Sequence, residues 1–334
     1  MAADKDASES SKFDAAAFAA LKDGAALLAP LPRDLIVARG ADRVRFLHGV
    51  VTGNVAETPT GGGVHALLLT PKAHVLSDMR IFPRQDDLFV VVASGQGAVT
   101  AAALSRYAVM DDFTAEVAPE MSFAAVLGPH ARARLAALGL PVEQLDAKND
   151  WSHLTSEGGL WLARARQLGV VGYWLGGGEE VLAGISAALL QAGTPRLSQA
   201  TAEAARILAG EPAWGREITD ELFPMEMGLG DAIDYTKGCF LGQEPIVRIR
   251  DRGHTNWRLA RLELAAGAAA RAGDPLESDA KAKAGRLTSV ASGPEGHSVA
   301  LGFVHVSLPE GAPVRVAGAA GTVAATVRAA VGAA

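Results

Sequence analysis

Cysteine is almost absent from this sequence: Cys239 is the only one in 334 residues. A single cysteine excludes an internal disulfide, and it excludes a metal site in which this chain alone supplies several thiolates. Because nothing in the composition calls for an oxidising environment, we expect a cytoplasmic protein.

Long apolar runs and excess basic charge are also missing. No stretch reaches the roughly 18 apolar residues that a membrane-spanning helix needs, so we expect no membrane association. The 31 lysines and arginines are outnumbered by 37 aspartates and glutamates, which gives a formal net charge of −6. That balance argues against binding DNA or RNA over the whole surface. The basic run from Arg248 to Arg261 permits an RNA hypothesis, but no RNA-binding module is recognisable, and we expect no direct nucleic-acid partner.

The order of predicted elements indicates an α+β fold with a separate β-rich end. Strand pairs followed by a helix occur twice before residue 253, which is typical of an α+β fold of two similar halves. From Trp257 onward, short apolar runs separated by Gly, Pro, Asp and Ser are typical of a small β-barrel. We therefore predict a disordered tail at 1–12, an α+β region at 13–253 with two lobes at about 13–140 and 141–253, and a C-terminal β-barrel at 254–330.

The stretch around the cysteine holds the most chemical information. Lys237 and Gly238 precede Cys239, and Gln243 and Glu244 follow it closely. A nearby cation favours the thiolate form, and glycines let a ligand or another backbone come close. A free cysteine is equally often a small buried hydrophobe, and the apolar residues that follow it could belong to a core. Both interpretations stay open on the residues alone.

The octapeptide from Lys237 to Glu244, KGCFLGQE, with Arg248 four residues on, resembles the K-G-C-[FY]-x-G-Q-E signature of the YgfZ-type folate-binding family. That family is related to the T-protein of glycine cleavage, an aminomethyltransferase. The resemblance extends over most of the chain. Residues 46–55, FLHGVVTGNV, are similar to the family's F-L-x-G-x-x-T-x-D-V, with Asn54 in place of the aspartate.

This resemblance implies a T-protein-like, three-lobed fold: two α+β lobes and a C-terminal β-barrel around a central folate cavity. The implied ligand is tetrahydrofolate. The implied role is that of an accessory factor for assembly or repair of iron–sulfur clusters, especially four-iron clusters of client enzymes such as tRNA methylthiotransferases. The expected partners are iron–sulfur scaffold or carrier proteins and those client enzymes.

The resemblance also implies site residues. Cys239, with Lys237 beside it, would be the reactive thiolate, and it would serve as one ligand of a transient iron–sulfur cluster shared with a partner. A single thiolate cannot hold a cluster that needs about four ligands, so the partner would supply the others. The residues expected to contact folate are Asp78, Glu226, Gln243, Glu244, Arg248 and Arg258.

One departure bears on that folate site. The T-protein segment R-[LI]-E-x-G supplies a carboxylate to the pterin ring, whereas Leu208 stands at the acidic place here; Glu226 is the substitute that we consider. Two alternatives therefore remain beside the assembly factor. One is a folate-dependent aminomethyltransferase or demethylase of the T-protein type, and the other is a scaffold that binds no ligand.

Overall fold

A computed structural model describes residues 12–146, 149–265, 268–318 and 321–330. The predicted disordered tail at 1–12 lies outside the described residues except for Lys12. The chain forms two compact units. The α+β unit contains residues 19–196 and 231–245, and the barrel unit contains residues 197–230 and 246–330 together with the residues that precede Ala19. Among the described residues, no helix is both long and apolar enough to cross a bilayer.

The first sheet of the α+β unit has five antiparallel strands in the order β3-β4-β5-β2-β6. Its strands are β2 (Arg33–Arg39), β3 (Val64–Leu69), β4 (Val75–Pro83), β5 (Leu88–Ala93) and β6 (Thr114–Val117). The helices α2 (Arg43–Val50) and α3 (Gly97–Tyr107) contribute apolar residues to the core on one face of this sheet. Alternating burial along most of β4 shows why the sequence forms a strand there, since every second side chain enters the core.

The second sheet has the order β1-β7-β10-β9-β8 and is also antiparallel. Its strands are β1 (Ala26–Leu28), β7 (Ser122–Leu127), β8 (His153–Thr155), β9 (Trp161–Gln167) and β10 (Val170–Gly177), with helices α4 (Ala131–Ala137) and α5 (Glu179–Gln191) packed on it. The turn between β9 and β10 consists of Leu168 and Gly169, both at positive φ, as a two-residue hairpin turn of type I′ requires.

Sheet membership divides the sequence differently from the predicted lobes. The strand β7 precedes residue 140 but pairs with β10 in the second sheet. The early strand β1 belongs to the same sheet, because it pairs with β7. The chain therefore enters the first sheet after β1 and returns to the second sheet between β6 and β7. The lobe bounds at about 13–140 and 141–253 stay a prediction.

The barrel unit confirms the predicted β-rich end. Six strands close into a barrel in the order β11-β14-β13-β12-β15-β16. They are β11 (Trp257–Leu264), β12 (Pro275–Ser278), β13 (Lys281–Ser292), β14 (Ser298–His305), β15 (Pro313–Gly318) and β16 (Gly321–Ala330). The helix α6 (Gln199–Ala209) packs on β13 and β14. The fold class is thus α+β with a C-terminal barrel, as predicted.

Two further helices are α1, which spans Ala15–Asp23, and α7, which spans Gln243–Arg252. The arginines at 248, 250 and 252 are spaced by two and would share one face of an extended segment. They lie on α7 instead, where residues two apart point in different directions.

Candidate functional site

The cysteine lies in a segment, Asp231–Pro245, that we call the cysteine segment. It packs within the α+β unit beside the end of α2. Thr52 makes the first connection: its hydroxyl donates to the carbonyl of Ala232 at 2.6 Å and accepts from the backbone N–H of Leu67 at 2.8 Å. The carbonyl of Thr52 accepts from the N–H of Asp234 at 3.0 Å. Thr52 is fully buried, so these bonds form away from water.

Lys237 makes the second connection. Its Nζ donates to the carbonyl oxygens of His48, Val51 and Gly53, at 2.6 Å for Val51 and 3.0 Å for Gly53. The ring of Phe240 lies 5.5 Å from the same Nζ. Burial lowers the pKa of Lys237 to about 8, against the opposing charge of Asp234, so the side chain still carries its proton at neutral pH.

Two turns fix the ends of the segment. Oδ1 of Asp234 accepts from the N–H of Thr236 at 2.7 Å and from the N–H of Lys237 at 3.1 Å. Hydrogen bonds from Thr236, above all, lower the pKa of Asp234 to about 2. At the other end, Gly242 has a φ of +78°, and a Cβ there would lie 2.5 Å from the carbonyl oxygen of Thr70. Only glycine fits this close approach.

Cys239 is exposed between these anchors. The neighbouring Phe240 is buried, and Leu241 packs against the core of the first sheet. The apolar part of the motif therefore enters the core without the cysteine, and the interpretation of Cys239 as a buried hydrophobe is excluded. Gln243 begins α7, and Glu244 is exposed in its first turn.

Asp78 lies on β4 in a charged cluster with two neighbours. Its Oδ1 accepts from Nε2 of His65 at 2.5 Å and from Nη1 of Arg80 at 2.8 Å. His65 stands opposite Arg80 in the register between β3 and β4, which places all three side chains on one face of the sheet. The guanidinium of Arg80 lies over the ring of Trp151, 5.3 Å from its centre.

The cluster keeps Asp78 ionised. Burial alone would raise the pKa of Asp78, but the charge of Arg80 and the contacts with His65 outweigh it and hold that pKa well below its usual range. Burial and the charge of Arg80 lower the pKa of His65, so His65 is neutral at pH 7 and donates from Nε2. Among the described residues, Oδ2 of Asp78 has no hydrogen-bond partner, and its side chain is 18% exposed. One carboxylate oxygen is thus held in place while the other can accept N–H groups from a ligand.

Glu226 has a different environment, in the barrel unit. The residue is buried, and both of its carboxylate oxygens accept backbone N–H groups. Oε1 takes those of Asn256 and Trp257, each at 3.1 Å, and Oε2 takes that of Phe223 at 3.1 Å. These bonds tie the start of β11 to the Glu226 turn. The carboxylate therefore serves the backbone of this unit, and its role as the substitute for Leu208 stays a prediction.

The remaining predicted ligand residues lie in the barrel unit. Arg248 is exposed on α7. Arg258 on β11 donates from Nη2 to the carbonyl of Leu308 at 2.5 Å, while its Nη1 is buried and has no partner among the described residues. Burial lowers the pKa of Arg258. Leu208 is half-buried at the end of α6, and its carbonyl accepts from Nη1 of Arg261 at 2.8 Å.

Two residues of this site were not singled out from the sequence. His65 holds Asp78, and its only signal was its position on the strand adjacent to β4. Thr52 belongs to the stretch that resembles F-L-x-G-x-x-T, so the motif marked it without giving its role. Among the described residues, no group of three or more His, Cys, Asp or Glu side chains is arranged to hold a metal ion.

Comparison with known proteins shows the family to which the chain belongs. The model of the GCVT N-terminal domain matches residues 18–237, about two thirds of the chain. The chain belongs to the GCVT family. Its match ends at Lys237, so the exposed cysteine lies just beyond the matched region.

Two individual proteins are similar to this GCVT member. A protein of Arabidopsis thaliana, named as a candidate chloroplastic transferase, is 24% identical over 269 residues, which are 79% of this chain and 62% of the relative. The chain thus spans less than two thirds of that relative's length. The crystal structure of the glycine cleavage system aminomethyltransferase T from Bartonella henselae superposes with a TM-score of 0.85 at 22% identity, covering 94% of this chain and 88% of the other. The fold is therefore T-protein-like.

Proposed function

We propose that this chain is a folate-binding accessory factor of the YgfZ type, which assists the assembly or repair of iron–sulfur clusters through Cys239. The observation that carries the proposal is the exposed thiol on a segment that the core holds at several points. The complete K-G-C-F-x-G-Q-E octapeptide supports the YgfZ-type assignment, and membership of the GCVT family supports a folate ligand.

The cluster is the cargo in this proposal, and Cys239 supplies one thiolate to it. Iron–sulfur clusters are held by about four ligands, so the remaining ligands come from the partner: an iron–sulfur scaffold or carrier protein, or the client enzyme. Exposure of the sulfur is the necessary condition for such a shared arrangement, since a buried thiol cannot reach a second protein.

Tetrahydrofolate fits the residues around Asp78 better than those around Glu226. A pterin presents N–H groups, and an ionised carboxylate with one open oxygen is a suitable acceptor for them. The exposed guanidinium of Arg248 is chemically suited to the carboxylates of a glutamate tail. Arg258, whose Nη1 has no partner among the described residues, carries the same guanidinium chemistry.

The cluster role is tested by complementation. Cys239→Ser should abolish the rescue of cluster-dependent enzymes, measured as tRNA methylthiolation in a strain that lacks the protein, while the variant folds normally because the side chain is exposed. Full rescue by this variant would remove Cys239 from the mechanism.

Folate binding is tested separately by calorimetry with tetrahydrofolate. We expect measurable binding that Asp78→Asn weakens, since the amide loses the charge and turns an acceptor into a donor. Absence of binding by the intact protein would favour the scaffold without a ligand.

The aminomethyltransferase alternative is favoured by one observation, the transferase name of the Arabidopsis relative. The purified protein would then transfer a one-carbon unit from an aminomethyl donor to tetrahydrofolate. Detection of that product at catalytic turnover would replace the assembly factor with an enzyme.

A further inference from the structure

The cysteine segment is held by two stretches of chain that are distant in sequence. Thr52 and the carbonyls beside it bind the first half of the segment, and the turn at Thr70 approaches Gly242 in the second half. Cys239 is exposed between these points. The motif that resembles F-L-x-G-x-x-T and the K-G-C motif are therefore two parts of one contact.

The ammonium of Lys237 is chemically matched to its surroundings. The last carbonyls of an α-helix have no partner within the helix, and they form the negative end of its dipole. His48 lies in the last turn of α2, Val51 follows its end, and both carbonyls accept from Nζ. Gly53 provides the third acceptor. Three N–H donors thus meet three carbonyl oxygens, so the ammonium caps the helix.

This arrangement uses all of the hydrogen-bonding capacity of the Lys237 ammonium. An ammonium has three N–H donors and no acceptor. With three carbonyls bound and the ring of Phe240 nearby, no N–H remains for the sulfur. Among the described residues, no hydrogen bond joins Nζ to Sγ of Cys239. The adjacent cation in the motif therefore serves the backbone.

We propose that Lys237 is a positioning residue: its ammonium fixes the cysteine segment to the C-terminal end of α2 and so presents Cys239 in one place, without activating the sulfur. The functional meaning of that position rests on the proposed role of Cys239. The contact between Lys237 and the end of α2 does not depend on that role.

The variant Lys237→Met distinguishes a positioning lysine from one that activates the sulfur. It keeps the length of the side chain and removes its three N–H donors. If the lysine positions the segment, backbone amides of residues 234–242 exchange with solvent about tenfold faster or more. The pH profile of Cys239 alkylation by iodoacetamide keeps its midpoint. If the lysine activates the sulfur, that midpoint moves to higher pH and the exchange rates do not change.

Controls separate these effects from general destabilisation. Lys283→Met removes an exposed lysine from β13 and should leave both measurements unchanged. Thr52→Val loosens the same segment without changing any charge, so it should also accelerate exchange and keep the alkylation midpoint. If Lys237→Met does not fold, Thr52→Val and a chemical rescue of Lys237→Ala still test the proposal.

The chemical rescue tests whether the segment needs hydrogen-bond donors or only a positive charge. Propylammonium added to Lys237→Ala should restore slow exchange in residues 234–242, whereas tetramethylammonium, a cation without N–H groups, should not. Equal restoration by both cations, or a shifted alkylation midpoint with unchanged exchange, would overturn the proposal. Full rescue by Cys239→Ser in the complementation assay would instead remove the cluster role and leave the positioning contact standing.

Discussion

Lys237 and Cys239 lie two residues apart in the same motif and have opposite environments. The lysine is buried, with its Nζ bound by three carbonyls, whereas the cysteine is exposed. Phe240 and Gly238 differ in the same way: Phe240 is buried, whereas a Cβ added at Gly238 would meet nothing within 4 Å. A single signature thus combines residues that hold a segment in place with residues that face solvent, and only the second group is accessible to a partner protein.

The two glycines of the motif give the sharpest contrast. Gly242→Ala should lower the free energy of unfolding by about 3 kcal/mol, because an alanine at φ +78° is strained and its Cβ would lie 2.5 Å from the carbonyl oxygen of Thr70. Gly238→Ala should leave the stability within about 0.5 kcal/mol of the parent protein. Urea unfolding of both variants measures this difference, and equal costs would contradict the proposed division of the motif.

The two threonines near the segment differ in the same way. Thr52→Val should cost about 2 kcal/mol, since it leaves the buried N–H of Leu67 and the carbonyl of Ala232 without their partner. Thr236→Val removes an exposed hydroxyl that donates to Asp234 at 2.6 Å, and because this bond is exposed to water it should cost about 1 kcal/mol or less. Thermal unfolding of the two variants makes the comparison, and a Thr52→Val protein as stable as the parent would show that water replaces the lost bonds.

Asp234 should make the free energy of unfolding depend on pH in the acidic range. Its pKa is lowered to about 2 in the folded protein from its ordinary value of 3.8, so its stabilising effect is complete above pH 3.8 and is lost as the pH falls toward 2. The stability advantage of the parent protein over Asp234→Ala should therefore shrink between these pH values. Asp86→Ala, at an exposed position between β4 and β5, serves as the control. An advantage that does not change with pH would contradict the turn geometry.

The smallest effect is expected at the exposed arginine of α7. Arg248→Gln should change the free energy of unfolding by less than about 0.5 kcal/mol, because its side chain is exposed. If it contacts a folate tail, the same variant should weaken the binding of tetrahydrofolate in calorimetry. Loss of stability without loss of binding would show that the guanidinium supports the fold.

Elements with a strong local pattern could be predicted from the sequence. A continuous apolar run specifies the strand Leu88–Ala93, and an apolar repeat at helical spacing specifies the helix Glu179–Gln191. The short strands β1 and β8 were missed because three residues carry no periodic signal and become strands only through pairing. The helix α6 has clear local signals at both ends, with Ser198 as its N-cap and Gly210 in the left-handed conformation after its end.

The candidate site also has features that the sequence indicates locally and features that depend on the fold. The K-G-C motif pointed to Cys239 because of its residue types, but its exposure depended on which neighbours enter the core. The partners of Lys237 lie more than 180 residues earlier in the chain, so no local pattern could reveal them. Glu226 shows the same limit, because the backbone N–H groups that its carboxylate oxygens accept leave no trace in the sequence.

The stacking of Arg80 on Trp151 gives the protein a built-in optical reporter. The same guanidinium is paired with Asp78, so a molecule that engages this carboxylate alters the charge 5.3 Å from the centre of an indole ring. Indole emission responds to nearby charge, and the change should vanish in Trp151→Phe while the other four tryptophans continue to emit. Occupancy of the Asp78 cluster could thus be followed in solution without a label.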